Sequence, residues 1–363
     1  FSKNMRSAKI MLSENLQIGV IGAGAWGTAL ARLLVNNGNS VQLWCHEAET
    51  RQDILTNHLN SSFLPEIPLP ETLHASTDLS DVVRNSKILV ASVPSHFTRE
   101  IAKKMRPEIT HEHIVVILSK GIEQHSLALM SEIYAEELNN LPKLAVLSGP
   151  TFAREVALDL PSAAVLACAD EETGSLLQKS FHSARFRLYR STDLIGVQLA
   201  GAIKNVIAIA SGIADGMKLG LNSRAALICR GIAEMSRLGA VMGGSAETFM
   251  GMSGVGDSVL TATGTLSRNH TLGEKLGQGL SLEKCLPPGG AVAEGVRNAV
   301  SIHELAERHK IEMPICNAVY QVLHEGISCA QALKQLLERE PPDEEMMFFP
   351  NLNNNTVHAD QQK

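Results

Sequence analysis

The residue whose surroundings most favour chemistry is Lys204, the one charged side chain in a long apolar stretch between Asp193 and Asp215. The stretch is apolar almost all the way round at helical spacing, which predicts a helix buried in the core. Burial lowers the pKa of an ammonium group, and a lysine that titrates near neutral pH can both donate and accept a proton. Lys204 is therefore a candidate proton donor and acceptor. The alternative is a side chain that extends along its stem to the surface.

Other cations and donors in the chain are suited to holding an anion. Lys120 follows a predicted strand at 114–118, at the carboxyl end of a sheet, where open α/β folds bind ligands. By itself it is also an ordinary loop lysine. The run Ser267-Arg268-Asn269 offers forked donors that can hold a phosphate group in a bidentate manner. These groups predict a site for a small anionic substrate.

A glycine-rich run has the context of a dinucleotide-binding turn: an apolar segment at 17–21, then Gly22-Ala-Gly24-Ala-Trp-Gly27, then a helical pattern at 28–35. In such a turn the first glycine permits the bend, the second admits a pyrophosphate, and the third lets the helix pack closely on the sheet. The helix N-terminus adds free N–H groups and a positive dipole end. This context favours binding of NADH or NADPH over a purely structural turn.

The residue that would contact the adenosine ribose departs from the common pattern. An acidic residue at the end of the second strand usually holds the ribose hydroxyls of NAD. Here Trp44-Cys45-His46 follows the predicted strand at 40–44. His46 either faces the 2′-phosphate of NADP or caps the strand end, and the sequence does not separate the two. Specificity for NAD alone is therefore not supported.

Three further motifs place polar groups beside glycines. In Ser148-Gly149-Pro-Thr151-Phe-Ala153, a strand end and a turn precede a helix beginning near 152, which exposes backbone donors. The alternative for Thr151 is a plain helix N-cap. Gly254-Val-Gly-Asp257 and Ala293-Glu294-Gly295 carry carboxylates between glycines, and their spacing alone assigns them no role.

The elements that must position these residues fall into two patterns. Short apolar runs alternate with helical patterns from 16 to 149, which is typical of a parallel sheet, with strands at 17–21, 40–44, 88–93, 114–118 and 144–147. After about Thr192, long apolar stretches at helical spacing predict helices only. The fold class is therefore α/β, with an N-terminal Rossmann-type dinucleotide-binding domain at 16–191 and an all-helical C-terminal substrate and catalytic domain at 192–340.

Composition excludes several classes of protein. The chain has 363 residues, 44% hydrophobic and 19% charged, which is typical of a globular protein of two domains. A net charge of −6 without a long basic run argues against nucleic acid or an acidic membrane surface as a partner. The six cysteines show no metal-ligand spacing, so we expect no metal site and free thiols in a reducing, cytoplasmic compartment.

The ends of the chain and its apolar stretches give further expectations. No run reaches the roughly 18 consecutive apolar residues of a membrane span, so no stable membrane association is expected. Residues 1–15 lack the apolar core of a signal peptide and are predicted to be a disordered leader. The polar segment 341–363 is predicted to be a disordered tail. The glycine-rich apolar helices are compatible with a homodimer.

Eight motifs occur in one order over about 18–337: Gly22-Ala-Gly-Ala-Trp-Gly27, Val93-Pro-Ser95, Ser119-Lys-Gly121, Ser148-Gly-Pro-Thr-Phe152, Gly196-Val-Gln-Leu-Ala-Gly-Ala-Ile-Lys-Asn205, Gly254-Val-Gly-Asp257, Ser267-Arg-Asn269 and Glu294-Gly295. Together they closely resemble the bacterial-type NAD(P)-dependent glycerol-3-phosphate dehydrogenases. Eight motifs in the family's order are far more specific than any one of them alone.

The resemblance implies reduction of dihydroxyacetone phosphate to sn-glycerol 3-phosphate by NADH or NADPH, which supplies phospholipid synthesis. It makes Lys204 the catalytic proton donor for reduction. The substrate contacts that it implies are Lys120, Gly149, Thr151, Lys204, Asp257, Ser267, Arg268 and Asn269. The cofactor contacts that it implies, beside the turn glycines, are Ala25, Trp26, His46, Lys120, Ala153, Arg268, Val292 and Glu294.

Two departures from the family pattern concern local geometry. Ala25 stands where the family often has Ser, so only a backbone donor to the pyrophosphate is expected. The segment 261–266 before Ser267 is also less typical, as is the exact form of 255–258. Neither departure removes a group that the proposed chemistry needs.

Two other functions compete with this interpretation. A β-hydroxyacid dehydrogenase also joins such a cofactor domain to a helical domain with a Lys-Asn pair, but its substrate is a carboxylate. The run Ser267-Arg268-Asn269 favours a phosphate instead. A non-catalytic NAD(P)H sensor would leave the lysine of the buried helix unexplained.

Overall fold

The apolar segments of the first half of the chain form one eight-stranded sheet. The computed structural model describes residues 16–286 and 293–340. The strands are β1 (Gln17–Ile21), β2 (Ser40–Trp44), β3 (His74–Ser76), β4 (Ile88–Ala91), β5 (Ile114–Ile117), β6 (Lys143–Ser148), β7 (Ser162–Cys168) and β8 (Phe186–Ser191). Their order in the sheet is β3-β2-β1-β4-β5-β6-β7-β8.

Strands β1 to β6 run parallel, so their carboxyl ends share one edge of the sheet. Strand β7 pairs antiparallel with β6, and β8 runs parallel to β7. The order reverses beside β1, where the chain passes from β1 to β2 on one side and β4 lies on the other. Ligands of open α/β folds bind at such a reversal, beyond the carboxyl ends of the strands.

Helices cover both faces of this sheet. They are α1 (Ala25–Asn36), α2 (Ala48–Asn57), α3 (Leu79–Arg84), α4 (Thr98–Met105), α5 (Met130–Glu137), α6 (Ala153–Ala157) and α7 (Glu171–Phe181). One core contains alternate strand residues with side chains of α1 and α7, and a second core on the other face contains side chains of α3, α4 and α5. Burial on both faces explains why the central strands are apolar throughout.

Beyond β8, the described part of the chain contains helices and turns but no strand. The helices are α8 (Leu194–Gly216), α9 (Gly220–Val241), α10 (Ala246–Met250), α11 (Asp257–Thr263), α12 (Arg268–Gly277), α13 (Leu282–Cys285), α14 (Glu294–His309), α15 (Pro314–Tyr320) and α16 (Cys329–Leu337). A π-helical turn, Met252–Gly256, leads into α11. Another, Gln321–Glu325, follows α15.

Helix α8 is the centre of the helical part. Its first turn is capped by Asp193, whose Oδ1 accepts a hydrogen bond from the Gly196 backbone at 2.7 Å. Small residues let α12 approach closely, since a Cβ on Gly212 would lie 2.1 Å from the His270 carbonyl oxygen. Of its 23 residues, 18 are buried. By length and hydropathy α8 could cross a membrane, but 89% of its most apolar window lies inside the protein, as in a core helix.

The predicted fold class is confirmed: a mainly parallel α/β domain is followed by helices. Strands β1 and β2 have the predicted bounds, whereas the prediction of 88–93 was wrong at its end because the chain turns into Val93-Pro94 after Ala91. Helix α1 begins at Ala25, three residues earlier than predicted, so the glycine run itself enters the helix. The domain bounds stay predictions, with β8 ending at Ser191 and α8 beginning at Leu194.

Candidate active site

Lys204 lies inside the helical domain, on the middle of α8. Its side chain is 9% exposed, so the alternative of a lysine that reaches the surface is wrong. Nζ donates hydrogen bonds to Asp257 Oδ1 at 2.8 Å and to Thr261 Oγ1 at 2.7 Å. An ammonium group has three N–H donors, so one remains beyond these two partners.

Asp257 joins Lys204 to the second predicted lysine. Its Oδ2 accepts a hydrogen bond from Lys120 Nζ at 2.6 Å, and its side chain is only 2% exposed. Lys120 comes from the loop after β5, and Asp257 is the first residue of α11. One buried carboxylate therefore binds a lysine from each half of the chain, at the carboxyl edge of the sheet. Spacing alone had given Asp257 no role.

Thr261 is a member of this cluster that the sequence analysis missed. Its hydroxyl accepts from Lys204 and donates to Asp257 Oδ1 at 3.2 Å. Thr261 follows Asp257 by one helical turn, so both side chains project from the same face of α11. That four-residue spacing was the available signal. The hydroxyl fixes the direction in which the ammonium group points.

The surroundings shift the pKa of both Lys204 and Asp257, the central ion pair. Burial lowers the pKa of Lys204 from 10.5 to about 8, an effect that Asp257 opposes and Lys120 reinforces. Burial alone would raise the pKa of Asp257, but the charges of Lys120 and Lys204 hold it below its usual value. Asp257 therefore stays ionised while Lys204 changes its protonation within the range where enzymes work.

Gly149 and Thr151 line the same region from the end of β6. Gly149 has a φ of +149°, and a Cβ there would lie 2.9 Å from Ala164 Cα. Its carbonyl oxygen lies 3.4 Å from Lys120 Nζ and also accepts the Thr151 hydroxyl at 3.2 Å. Thr151 is not a helix cap, because α6 has Phe152 at its N-cap. The turn thus keeps its backbone close to Lys120.

The run that was predicted to hold a phosphate group forms the start of α12. Ser267 is the N-cap, and its Oγ accepts a hydrogen bond from the His270 backbone at 3.2 Å. The Asn269 amide is buried and links Asn205 Oδ1 to the Gly295 backbone, both at 3.0 Å. Arg268 is exposed and makes no hydrogen bond or ion pair with any residue in 16–286 or 293–340. Of the three, Arg268 is therefore the exposed side chain available to an anion.

The glycine run has the geometry of a phosphate-binding turn. Gly22 has a φ of +110°, and a Cβ on Gly27 would lie 2.0 Å from the Gly22 carbonyl oxygen. A Cβ on Gly24, by contrast, would meet nothing within 4 Å. The first three N–H groups of α1 have no partner within the helix. Space beside Gly24 and free donors at a helix N-terminus fit the pyrophosphate of a dinucleotide.

The neighbouring predicted cofactor residues have different surroundings. Trp26 packs its indole against Phe186, with ring centroids 6.5 Å apart, and also contacts a small cluster with Ala153. Ala25 and Ala153 are the first residues of α1 and α6. Their positions leave backbone N–H groups, rather than side chains, to contact a phosphate. His46 is exposed, with its ring edge-on to Trp44 at 5.9 Å, and both of its proposed roles stay predictions.

Glu294 lies where α14 meets the end of β4. Its Oε1 accepts a hydrogen bond from the Ser95 backbone at 3.1 Å, and its Oε2 is buried without a partner among the described residues. Burial raises the pKa of Glu294, and the charge of Arg268 acts in the opposite direction. A buried acceptor without a partner at this edge fits a ligand that carries donors. The predicted contact Val292 lies outside the described residues.

Comparison with known families agrees with this geometry. The sequence model for the N-terminus of NAD-dependent glycerol-3-phosphate dehydrogenase matches residues 17–174, and that for its C-terminus matches residues 193–334. The chain belongs to the NAD-dependent glycerol-3-phosphate dehydrogenase family. The family predicted from the eight motifs is confirmed, and with it an oxidoreductase that uses a nicotinamide dinucleotide.

Individual members of the family are similar over nearly the whole chain. A glycerol-3-phosphate dehydrogenase [NAD(P)+] of Oleidesulfovibrio alaskensis is 45% identical over 330 residues, which are 91% of this chain and 100% of that protein. Its counterpart from Geobacter sulfurreducens is 47% identical over 328 residues, 89% of this chain and 97% of that protein. The crystal structure of a glycerol-3-phosphate dehydrogenase from Coxiella burnetii, 41% identical, superposes with a TM-score of 0.86 and covers 90% of this chain and 99% of its own.

Proposed function

We propose that this chain reduces dihydroxyacetone phosphate to sn-glycerol 3-phosphate, with hydride from NADPH or NADH and a proton from Lys204. The observation that carries the proposal is the Lys204–Asp257–Lys120 cluster at the carboxyl edge of the sheet. The glycine turn and the N-terminus of α1 also lie at this edge. The cluster therefore brings a proton donor to the edge at which a dinucleotide is expected.

The nicotinamide cofactor, when bound, supplies the hydride. The chain itself must bind and polarise the carbonyl group and deliver a proton to its oxygen as negative charge develops there. Lys204 has one N–H donor that neither Asp257 nor Thr261 uses, and this donor is available to the substrate oxygen. Lys120 lies on the other side of Asp257 and adds a second positive charge that stabilises the developing alkoxide.

The phosphate end of the substrate needs a separate anchor. Arg268 is the exposed cation at the N-terminus of α12, where the helix dipole also favours an anion. Ser267 and Asn269 hold this N-terminus in place, through the cap and through the amide link to α8 and α14. The backbone at Gly149 and the hydroxyl of Thr151 complete the proposed substrate contacts.

The cofactor contacts are proposed on the same basis. Gly22, Gly24 and Gly27 form the turn, and the backbones of Ala25, Trp26 and Ala153 offer donors. Glu294 offers an unpartnered acceptor. Lys120 and Arg268 are the cationic candidates, His46 is a further candidate side chain, and Val292 is proposed from the resemblance alone. The product would feed phospholipid synthesis. A cytoplasmic location, the absence of a membrane or nucleic-acid partner, and a homodimer stay predictions.

The direct test compares substrates. Oxidation of NADPH and of NADH is followed with dihydroxyacetone phosphate and, separately, with short-chain keto acids. Turnover with dihydroxyacetone phosphate that exceeds turnover with the keto acids is expected, because Arg268 suits a phosphate group. Preference for a keto acid would indicate a hydroxyacid dehydrogenase, which the family match does not favour. Tight cofactor binding without any turnover would indicate a sensor.

A further inference from the structure

One face of α14 packs on the strand-end loops of the dinucleotide-binding half. Glu294, Asn298 and Ser301 lie four and then three residues apart, so they project from the same face. Glu294 accepts from the Ser95 backbone after β4, and Ser301 donates to the Ile122 carbonyl oxygen at 3.0 Å after β5. Asn298 lies between them. Of the three, only Asn298 contacts the main chain of a lysine in the cluster.

Asn298 has contacts that its neighbours on α14 lack. It is fully buried, and its Nδ2 donates to the Lys120 carbonyl oxygen and to the Ala202 carbonyl oxygen, both at 3.1 Å. Lys120 supplies one ammonium group of the cluster, and Ala202 precedes Lys204 by two residues on α8. One amide group thus joins the main chains beneath both lysines. A carboxamide is suited to this, since its NH₂ group has two donors for two carbonyl oxygens.

The surroundings leave Asn298 little freedom to move. Its Oδ1 is buried without a partner among the described residues. A Cβ on Gly121 would lie 3.3 Å from this oxygen and 2.4 Å from Ser95 Cβ, so glycine is needed for the loop to pass between them. Leaving a buried acceptor without a partner costs free energy. The two hydrogen bonds made by Nδ2 outweigh that cost only if the main-chain segments at Lys120 and Ala202 stay in this alignment.

We propose that Asn298 is a positioning residue that holds Lys120 and Lys204 at the separation at which both ammonium groups share Asp257. This proposal rests on the proposed function of that site. If the amide is removed, the Lys120 loop loses its bond to α14 and α8. Lys120 then moves from Asp257, and Lys204 loses a neighbouring positive charge. Because that charge lowers the pKa of Lys204, its loss raises the pKa.

The test compares Asn298→Ala with Ser301→Ala, which removes the next hydrogen bond on the same face of α14. We expect Asn298→Ala to lower kcat for dihydroxyacetone phosphate reduction by about a hundredfold, as for a displaced catalytic group. The KM for substrate should change much less. The midpoint of the pH profile should rise. Ser301→Ala should keep the kcat and the midpoint of the wild type, whatever happens to its melting temperature.

A variant with one donor keeps the test informative if the alanine protein does not fold. Asn298→Thr retains a single hydroxyl donor and should give a kcat and a midpoint between those of the wild type and Asn298→Ala. Equal losses of kcat in Asn298→Ala and Ser301→Ala, both with the midpoint of the wild type, would show that Asn298 is merely structural. If the alanine protein does not fold, an unchanged kcat and pH profile in Asn298→Thr would lead to the same conclusion.

A second readout separates this proposal from the proposed function. The Lys204 side chain can be titrated by NMR in protein labelled with ¹³C-lysine and assigned with Lys204→Arg. A higher pKa of Lys204 in the Asn298 variants supports the positioning role even if the wild type is inactive with dihydroxyacetone phosphate. An inactive wild type would overturn the proposed function only. An unchanged pKa of Lys204 in every Asn298 variant would overturn the positioning role.

Discussion

Among single residues, Lys204 is central to the proposed chemistry, because its burial and its partner Asp257 shift its pKa in opposite directions. Burial and Lys120 favour the neutral amine of Lys204, whereas Asp257 favours the charged form. The balance leaves a group that can lose its proton near physiological pH and still be held by hydrogen bonds to Asp257 and Thr261. A fully exposed lysine would stay protonated far above that pH.

This balance predicts opposite pH profiles for the two directions of the reaction. Reduction needs protonated Lys204, so its kcat should fall as pH rises through about 8. Oxidation of sn-glycerol 3-phosphate needs the neutral amine, so its kcat should rise over the same interval. Rates measured in both directions between pH 6 and about 10 check this. Profiles that stay flat, or that move in the same direction, would remove Lys204 from the proton transfer.

Arg268 gives a second prediction at this scale. Arg268→Ala should lower kcat/KM for dihydroxyacetone phosphate by about tenfold to a hundredfold, because a hydrogen bond to a charged group contributes about 1.5 to 3 kcal/mol. Lys275→Ala, a change in the last turn of the same helix, is the matched control and should leave kcat/KM unchanged. Equal kcat/KM values for the two variants would show that the phosphate is held elsewhere.

Among the elements, the turn between β1 and α1 contains one glycine that folding requires and another that cofactor binding requires. A Cβ on Gly27 would collide with the Gly22 carbonyl oxygen, so Gly27→Ala should lower the melting temperature sharply. Gly24 has a φ of −66° and open space around it, so Gly24→Ala should fold normally. The added methyl group would occupy the proposed pyrophosphate site, so NADPH should bind about tenfold or more weakly.

Thermal denaturation and a fluorescence titration with NADPH check this pair of variants. A stable Gly24→Ala protein with the NADPH affinity of the wild type would contradict the placement of the pyrophosphate. An unchanged melting temperature for Gly27→Ala would contradict the close approach of α1 to the strand end.

A buried carboxyl group between two helices gives a prediction about stability. Glu234 on α9 is 1% exposed and accepts hydrogen bonds from the backbones of Ile315 and Cys316, at 2.7 and 3.1 Å, in the first turn of α15. Burial raises its pKa from 4.5 to about 7 despite these bonds and the nearby Arg237. The folded state therefore holds a proton that the unfolded state releases at lower pH.

The contribution of Glu234 to stability is consequently complete below about pH 4.5 and is lost as pH rises through about 7. The full change is at most about 3 kcal/mol. Glu234→Gln does not titrate, so the difference in free energy of unfolding between wild type and variant should decline from pH 5 to about 8. Urea denaturation at several pH values measures it. A difference that is constant, or that grows with pH, would contradict the raised pKa.

At the scale of the whole molecule, the sequence predicted the parts whose signals are local. The buried helix around Lys204 has an unmistakable apolar pattern, and β1 is followed directly by the glycine turn. Strands β3, β7 and β8 were missed because their signals are weak. Strand β3 has three residues, β7 is rich in alanine, and β8, at the sheet edge, has two arginines among its six residues. The reversed direction of β7 has no signature in composition.

The candidate site, too, could be predicted from the sequence only in part. Residue types identified Lys204, Lys120 and Arg268 as candidates for proton transfer or anion binding. Only the fold shows that Asp257 binds both lysines. Asp257 follows Lys204 by 53 residues and Lys120 by 137, so no local pattern could pair them. The roles of Asn269 and Asn298 likewise depend on contacts between segments that are distant in the sequence. Long-range contacts of this kind need the tertiary structure.

Single-turnover reduction of dihydroxyacetone phosphate at saturating NADPH, measured with wild type and with Lys204→Met, tests whether Lys204 supplies the proton. Methionine keeps the length of the stem but cannot carry a proton. We expect the variant to bind NADPH normally and to transfer hydride more slowly by about a hundredfold to ten-thousandfold. A variant that binds NADPH normally and reacts at close to the rate of the wild type would contradict that role of Lys204.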